Sequence, residues 1–237
     1  MTMHRGFVHI ICTLLGLLVV SCGNNATTNT DCANYLEAKS ITHAITIDGK
    51  VDEWGTTKPI LEGLLAPWNG RVVDETKIYI CHDAENIYFL YTVEDDTPIC
   101  DNESSEMSVV YSDRVEFFIS KDAQMESYVC AEIDPTGKAL GYTAKYHRQF
   151  DYEWDFDALT SAATATTTGY IVEASLPLAW LREEGYLNSE NEMFIGLYRG
   201  DAIEPRNSDN IRWLTWVEPE VVDFHIPSSL GKIKLIN

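Results

Sequence analysis

The chain has 237 residues and a mass of 26.7 kDa. Apolar residues make up 45% of it, enough for a sizeable core and too many for a disordered chain. Acids outnumber bases 37 to 17, a formal charge of −20; such a field repels phosphate backbones and sets nucleic acid and anionic membrane surfaces aside as partners.

Residues 1–22 read MTMHRGFVHIICTLLGLLVVSC. Arg5 stands before an apolar run from Gly6 to Val20. That run is shorter than the ~20 residues a membrane-spanning helix needs and fits the h-region of a secretory signal. Val19-Val20-Ser21-Cys22 resembles the lipobox of bacterial lipoproteins, in which the cysteine thiol is acylated and the chain is cut before it. The expected boundaries are a signal peptide over 1–21, a lipidated tether over 22–38 beginning at Cys22, and one domain over 39–237. The mature chain then keeps 216 residues (237 less 21) and, having lost Arg5 and no acid, a charge of −21. Cys32, Cys81, Cys100 and Cys130 remain beyond the anchor. They allow three disulfide connectivities in an oxidising compartment, with buried free thiols as the alternative at Cys81 and Cys130.

From Ile41 onward the hydrophobic period is two rather than 3.6. Strands are expected over Ile41–Asp48, Thr76–His82, Asn86–Glu94, Asp113–Ser120, Ser127–Asp134, Ala139–Tyr146, Ala158–Thr166, Tyr170–Leu176, Met193–Arg199, Ile211–Val217 and Lys232–Ile236. Turns are expected at Asp83–Asn86 and at Asp134-Pro135-Thr136-Gly137. Pro177 opens a short helix that ends at Gly185. Many short strands, one short helix and no βαβ rhythm predict an all-β fold, an antiparallel sandwich of jelly-roll type.

Several motifs then appear in a fixed order. Ile47-Asp48-Gly49-Lys50-Val51-Asp52-Glu53-Trp54, the IYFLYTVED run of Ile87–Asp95, the SDRVEFFI run of Ser112–Ile119, Tyr128–Gly137 and Gly169–Ala174 resemble successive motifs of carbohydrate-binding modules of family 9. The tail, with Tyr198–Asp201, Trp213–Trp216, Asp223–Pro227 and Gly231, is similar to a subgroup of that family. The resemblance spans about 45–236. It implies a sandwich that binds sugars without cleaving them, two tryptophans clamping a sugar ring and side chains bonding its hydroxyls. A pyranose has an apolar C–H face suited to an aromatic ring and a polar rim that needs fixed donors and acceptors.

Carried over residue by residue, the resemblance puts Glu116 at the sugar hydroxyls, with a structural pair to an arginine as its alternative. Val109, Val110 and Tyr111 stand near the family's first stacking tryptophan, and Phe224 stands for the second. Trp68, in a loop, and Tyr111 are the substitute platforms. Arg199, Trp216 and His225 belong to the subgroup's tail. Arg199 either grips a ligand or pairs with Glu116 or Asp201. Trp213 and Trp216, three apart, fall on opposite faces of a strand, one of them core. The expected ligand site is therefore Glu116, Arg199, Phe224, His225, Trp216, Trp68 and Tyr111, with no catalytic residue. No cofactor is required; calcium is a possible structural ion on carboxylate and carbonyl oxygens. The expected partners are a neutral oligo- or polysaccharide, a membrane reached through the lipid on Cys22, and glycan-degrading or uptake proteins of a bacterial cell envelope. Rival readings are a structural or protein-interaction lipoprotein, a haem-binding sandwich of the related DOMON type with His and Met axial ligands, and glycoside hydrolysis. For the last, an acid pair such as Asp155 and Asp157 carries no signal in so acidic a chain.

Overall fold

The computed structural model describes residues 34–67, 70–73 and 75–237. Among these the strands are β1 (Tyr35–Ser40), β2 (Leu64–Ala66), β3 (Arg71–Val73), β4 (Thr76–His82), β5 (Asn86–Glu94), β6 (Arg114–Ser120), β7 (Tyr128–Ile133), β8 (Ala139–Lys145), β9 (Gln149–Asp151), β10 (Thr160–Thr166), β11 (Gly169–Pro177), β12 (Glu192–Ala202), β13 (Ile211–Thr215) and β14 (Gly231–Ile236). One α-helix, α1 (Leu178–Glu183), follows β11 directly. The strands run in the order β10-β11-β5-β4-β1-β14-β12-β6-β7-β8-β9, with β13 and β2–β3 branching from β12.

This path curls on itself into two layers. Alternation decides what lies between them: Ile78, Ile80, Ile87, Phe89, Tyr91 and Val93 face Val115, Phe117, Ile119, Val129, Ala131, Ile133 and Leu197 in one buried cluster. Phe89 and Phe117 stack across it at 4.8 Å. Each such side chain removed from water contributes roughly 1.5–3 kcal/mol, so this inner layer carries the sandwich. All-β architecture with one short α-helix is as the period-two pattern predicts. The Asp83–Asn86 and Asp134–Gly137 turns close with backbone bonds of 3.0 Å each.

Two expectations are corrected. Ile41–Asp48 forms no strand. Its apolar residues instead cover the outer surface of the β10–β4 layer, where Ile45 and Trp54 pack on Cys81, Tyr88 and Leu90. Conversely, Tyr35–Ser40, which falls mostly within the expected tether, forms β1, parallel to both β14 and β4. Ala38 is completely buried there, so the polar look of the segment hides an inserted strand. The sandwich is thus antiparallel except where β1 joins its layers. Cys81, Cys100 and Cys130 are free thiols, the first and last buried on different outer surfaces. Cys22, Cys32 and the expected signal and anchor lie outside the described residues.

Candidate functional site: an acid-and-arginine floor under open aromatic rings

The sandwich has two outer surfaces. On the β10–β4 layer the buried acid is Glu173 of β11. Its Oε2 accepts the backbone N–H groups of Asp48, Gly49 and Lys50 at 3.0, 2.7 and 3.2 Å. Its Oε1 accepts the Trp54 indole N–H at 2.7 Å. The Ile47–Trp54 motif is therefore a clamp that fastens the 41–54 cover. Gly49 sits at φ +77°, and a Cβ there would meet the Thr164 hydroxyl oxygen at 2.7 Å. The carboxylate has four neutral donors and nothing left to offer a ligand.

The outer surface of the second layer is built differently. Arg114 and Glu116 are two residues apart on β6 and share its outward side. Glu132 of β7 is the direct cross-strand neighbour of Glu116. The Arg114 Nε donates to Glu116 Oε1 at 2.7 Å and lies 2.8 Å from Glu132 Oε2. Its Nη1 donates to the Val110 and Ser112 carbonyl oxygens. Tyr142 of β8 donates to Glu132 Oε1 at 2.9 Å. One guanidinium thus serves two buried carboxylates. Burial, with Glu132 beside it, pushes Glu116 up to about 8 against the opposing pull of Arg114. Within this floor Glu132 Oε2 has an ionic neighbour but no aligned hydrogen-bond donor.

Aromatic rings border the floor on two sides. The Arg114 guanidinium lies 4.8 Å from the centre of the half-exposed Trp213 ring. Tyr152, 44% exposed, packs on Tyr142 at 4.9 Å. Trp213, Arg114, Glu132, Tyr142 and Tyr152 thus form a continuous line of contacts. The Trp213 indole N–H bonds to no described residue. Such a line can stack a flat apolar ligand face on its rings, over a floor of one guanidinium and one carboxyl.

The residues singled out from sequence distribute unevenly. Glu116, Phe224 and His225 do share this surface. Phe224 is nearly buried, stacked on Tyr198 at 4.6 Å and edge-on to Trp213 at 5.4 Å; it supports the Trp213 ring instead of offering its own. His225 stacks on Phe118 at 4.8 Å, and its Nδ1 lies 3.1 Å from the Tyr128 hydroxyl oxygen. Burial first, then Arg148, holds it down at about 3, so it is neutral. Tyr111 ends the 3-10 turn Glu106–Tyr111 and lines a separate hollow with Ile99, Cys100 and Arg206, whose guanidinium lies over its ring at 5.4 Å. Trp216 is corrected: it is 6% exposed within the inner core, pressed onto Gly231. Trp68 lies outside the described residues.

Arg199 is corrected as a ligand residue, while its alternative, a structural pair with Asp201, is found. Its register partner is Val115, whereas Tyr198 pairs with Glu116, so Arg199 points to the opposite side of the sheet. Completely buried, it donates to Asp95 at 2.7 Å and Glu75 at 3.2 Å and lies 3.6 Å from Asp201. These contacts pin the β4–β5 end of one layer to β12 of the other. Asp95, Asp113 and Asp201 bring oxygens within 4.8 Å of one another. The donor set nonetheless fits a guanidinium better than calcium. Thr97 and Arg199 hold Asp95, Ile99 and Ala202 backbone N–H groups hold Asp113, and Arg212 holds Asp201. An ion there would have to displace Arg199. For the rival haem reading, His43 and His82 bond carbonyl oxygens, His147 bonds Asp223 and His225 lies against the Tyr128 hydroxyl.

Sequence reasoning missed Arg114, Glu132, Tyr142 and Tyr152, and left open which of Trp213 and Trp216 faces outward. The i, i+2 spacing of Arg114 and Glu116 was a usable signal. Glu132 needed the β6–β7 register, which no local pattern supplies.

A family model described as carbohydrate family 9 binding domain-like matches residues 47–237. Among curated proteins, endo-1,4-beta-xylanase A of Thermotoga neapolitana is 26% identical over 198 residues; the match takes 80% of this chain and spans only 17% of that enzyme's length. Among solved structures, a family 9 carbohydrate-binding module of Caldicellulosiruptor kristjanssonii in complex with cellotriose has a TM-score of 0.58 at 17% identity, covering 85% of this chain and 93% of the module. A candidate carbohydrate-binding protein of Bacteroides uniformis has a TM-score of 0.60 at 15% identity, covering 86% and 99%. The likeness to these structures is one of fold. With the model matching four-fifths of its length, the chain belongs to the carbohydrate family 9 binding domain-like family.

Proposed function

We propose that the protein binds a neutral glycan, without cleaving it, on the outer surface of the β12–β6–β7–β8 layer. The observation that carries the reading is the Trp213–Arg114–Glu132–Tyr142–Tyr152 line in a chain of this family. Trp213 and Tyr152 offer ring faces. Glu132, nearly buried and 2.8 Å from the Arg114 guanidinium, fixes the floor between these rings. Glu116 acts as a positioning residue: bonded to Arg114 and 2% exposed, it fixes the guanidinium. The net charge of −20 favours neutral over acidic sugars.

Relatives support the ligand class. The Caldicellulosiruptor kristjanssonii module is solved with cellotriose and with glucose. A single short site implies affinity in the micromolar to millimolar range, because ordering and desolvation offset much of the contact energy. The test is a glycan array followed by calorimetry with the hits. Binding that Trp213→Ala weakens at least tenfold is the expected result. Binding untouched by both Trp213→Ala and Glu132→Gln would remove the site from this surface.

The lipobox-like Val19–Cys22 run supports presentation from a lipid anchor in the cell envelope, where captured glycan would pass to degrading or uptake partners. Cys22→Ser is then expected to move the chain from the membrane fraction to the soluble fraction.

A further inference from the structure

We infer that the protein has a second saccharide-binding site, a cleft of about 560 Å³ between Trp154 and Trp180 on the flank of the sandwich. The inference rests on the glycan-binding reading for its ligand class but not for its location. The cleft lies where the 152–159 loop arches from β9 toward α1. Its size falls within the roughly 300–1,000 Å³ of small-ligand sites.

The loop is held from beneath. Phe156 lies against Gly141 of β8, where even a Cβ would stand 2.5 Å from the Phe156 Cβ. Phe156 in turn joins two tryptophans, with ring centres 5.1 Å from Trp154 and 5.3 Å from Trp180. Trp180 stacks on Tyr186 at 5.3 Å and 24°. The outcome is a fixed aromatic ladder, with both indole rings half-buried and lining the cleft.

Part of the polar lining is unspent. The Trp154 and Trp180 indole N–H groups, the Asp155 and Asp157 carboxylates and the Lys145 ammonium line the cleft without a hydrogen bond or ion pair to any described residue. Donors and acceptors of both signs beside aromatic faces match a hydroxylated ring, whose C–H face stacks and whose hydroxyls both give and accept. A cationic ligand fits less well, because Lys121 already places its ammonium 5.0 Å over the Tyr186 ring. The acids disfavour an anion.

The test is calorimetry of cellotriose, xylotriose and mannotriose, with tetramethylammonium as the cationic probe. It uses the full chain and its Trp213→Ala, Trp154→Ala and Asp155→Asn/Asp157→Asn variants. The expected result is a weak site, about millimolar, that persists in Trp213→Ala, is weakened at least tenfold by Trp154→Ala and at least threefold by the double aspartate variant. The double variant removes no partner within the protein, so it guards against a folding defect from losing Trp154. If both cleft variants bind every saccharide probe as the parent does, or if the cleft takes only tetramethylammonium, the inference is wrong. Loss confined to Trp213→Ala overturns the cleft and keeps the outer-surface site. Loss confined to the cleft variants overturns the outer-surface site and keeps the cleft.

Discussion

Glu173 and Glu116 are both buried glutamates on outward sides of the same sandwich, and their surroundings differ in kind. Glu173 is ringed by four N–H donors from a loop that closes over it. Glu116 shares a single arginine with a second acid, and its carboxyl is pushed up to about 8. A buried acid satisfied by neutral donors seals a surface. A buried acid left in competition for one cation marks a candidate functional surface. The contrast separates cover from site more sharply than the motifs do, since both glutamates lie in family motifs.

The largest expected effect breaks the sealed side. Glu173→Ala strands four donors, two of them fully within the clamp, and is expected to cost about 3–5 kcal/mol of stability by denaturant unfolding. Glycan binding by the remaining folded fraction should be unchanged. A loss of binding with little loss of stability would reverse the roles of the two surfaces.

On the open side, Trp213→Ala is expected to weaken glycan binding at least tenfold, which is about 1.4 kcal/mol. The stability change should stay well below that of Glu173→Ala, because the ring is half-exposed. Thermal melts beside calorimetry separate the two effects.

The pH dependence sharpens the comparison further. With Glu116 raised from 4.5 to about 8, the folded chain keeps a proton that the unfolded chain releases. Its contribution is present in full below about 4.5 and is lost as pH climbs to about 8. His225 acts in the other direction: lowered from 6.5 to about 3, its contribution is present above 6.5 and is lost as pH falls toward 3. Stability should therefore decline on both sides of an intermediate optimum. Glu116→Gln should flatten the alkaline side between pH 5 and 8. An unchanged slope in unfolding measurements would show that the proton is held elsewhere, with Asp113, also raised to about 8, the next group to change.

The smallest effect concerns calcium. With Arg199 among Asp95, Asp113 and Asp201, chelation by EDTA is expected to leave the melting temperature unchanged. A marked drop would mean that an ion, and not only the guanidinium, holds the layers together.

Much of the fold was legible because period-two alternation is local: β4 to β8 and β10 to β12 fall near their expected bounds. Ile41, Ile45 and Ile47 misled for a physical reason. Apolar residues that cover a sheet from a loop alternate much as strand residues do, and only the bonds to Glu173 reveal the loop. β1 was hidden because its burial comes from strands far away in sequence, β14 and β4. The site was half legible. Motif position pointed to Glu116, which lies on the candidate surface, and alternation put Trp213 and Trp216 on opposite faces. Which of the two faces outward follows only from the pairing of Gly200 with Trp213 on the surface that Arg114 occupies. The same register argument sends Arg199 to the interior.

The central claim is most directly tested by the tryptophan indole N–H resonances during a cellotriose titration of the 15N-labelled protein. Trp54, bonded to Glu173, reports the sealed surface, Trp216 the core and Trp213 the open surface. The Trp213 signal is expected to move in proportion to occupancy while those of Trp54 and Trp216 stay in place. Movement of Trp54 with Trp213 still would contradict it.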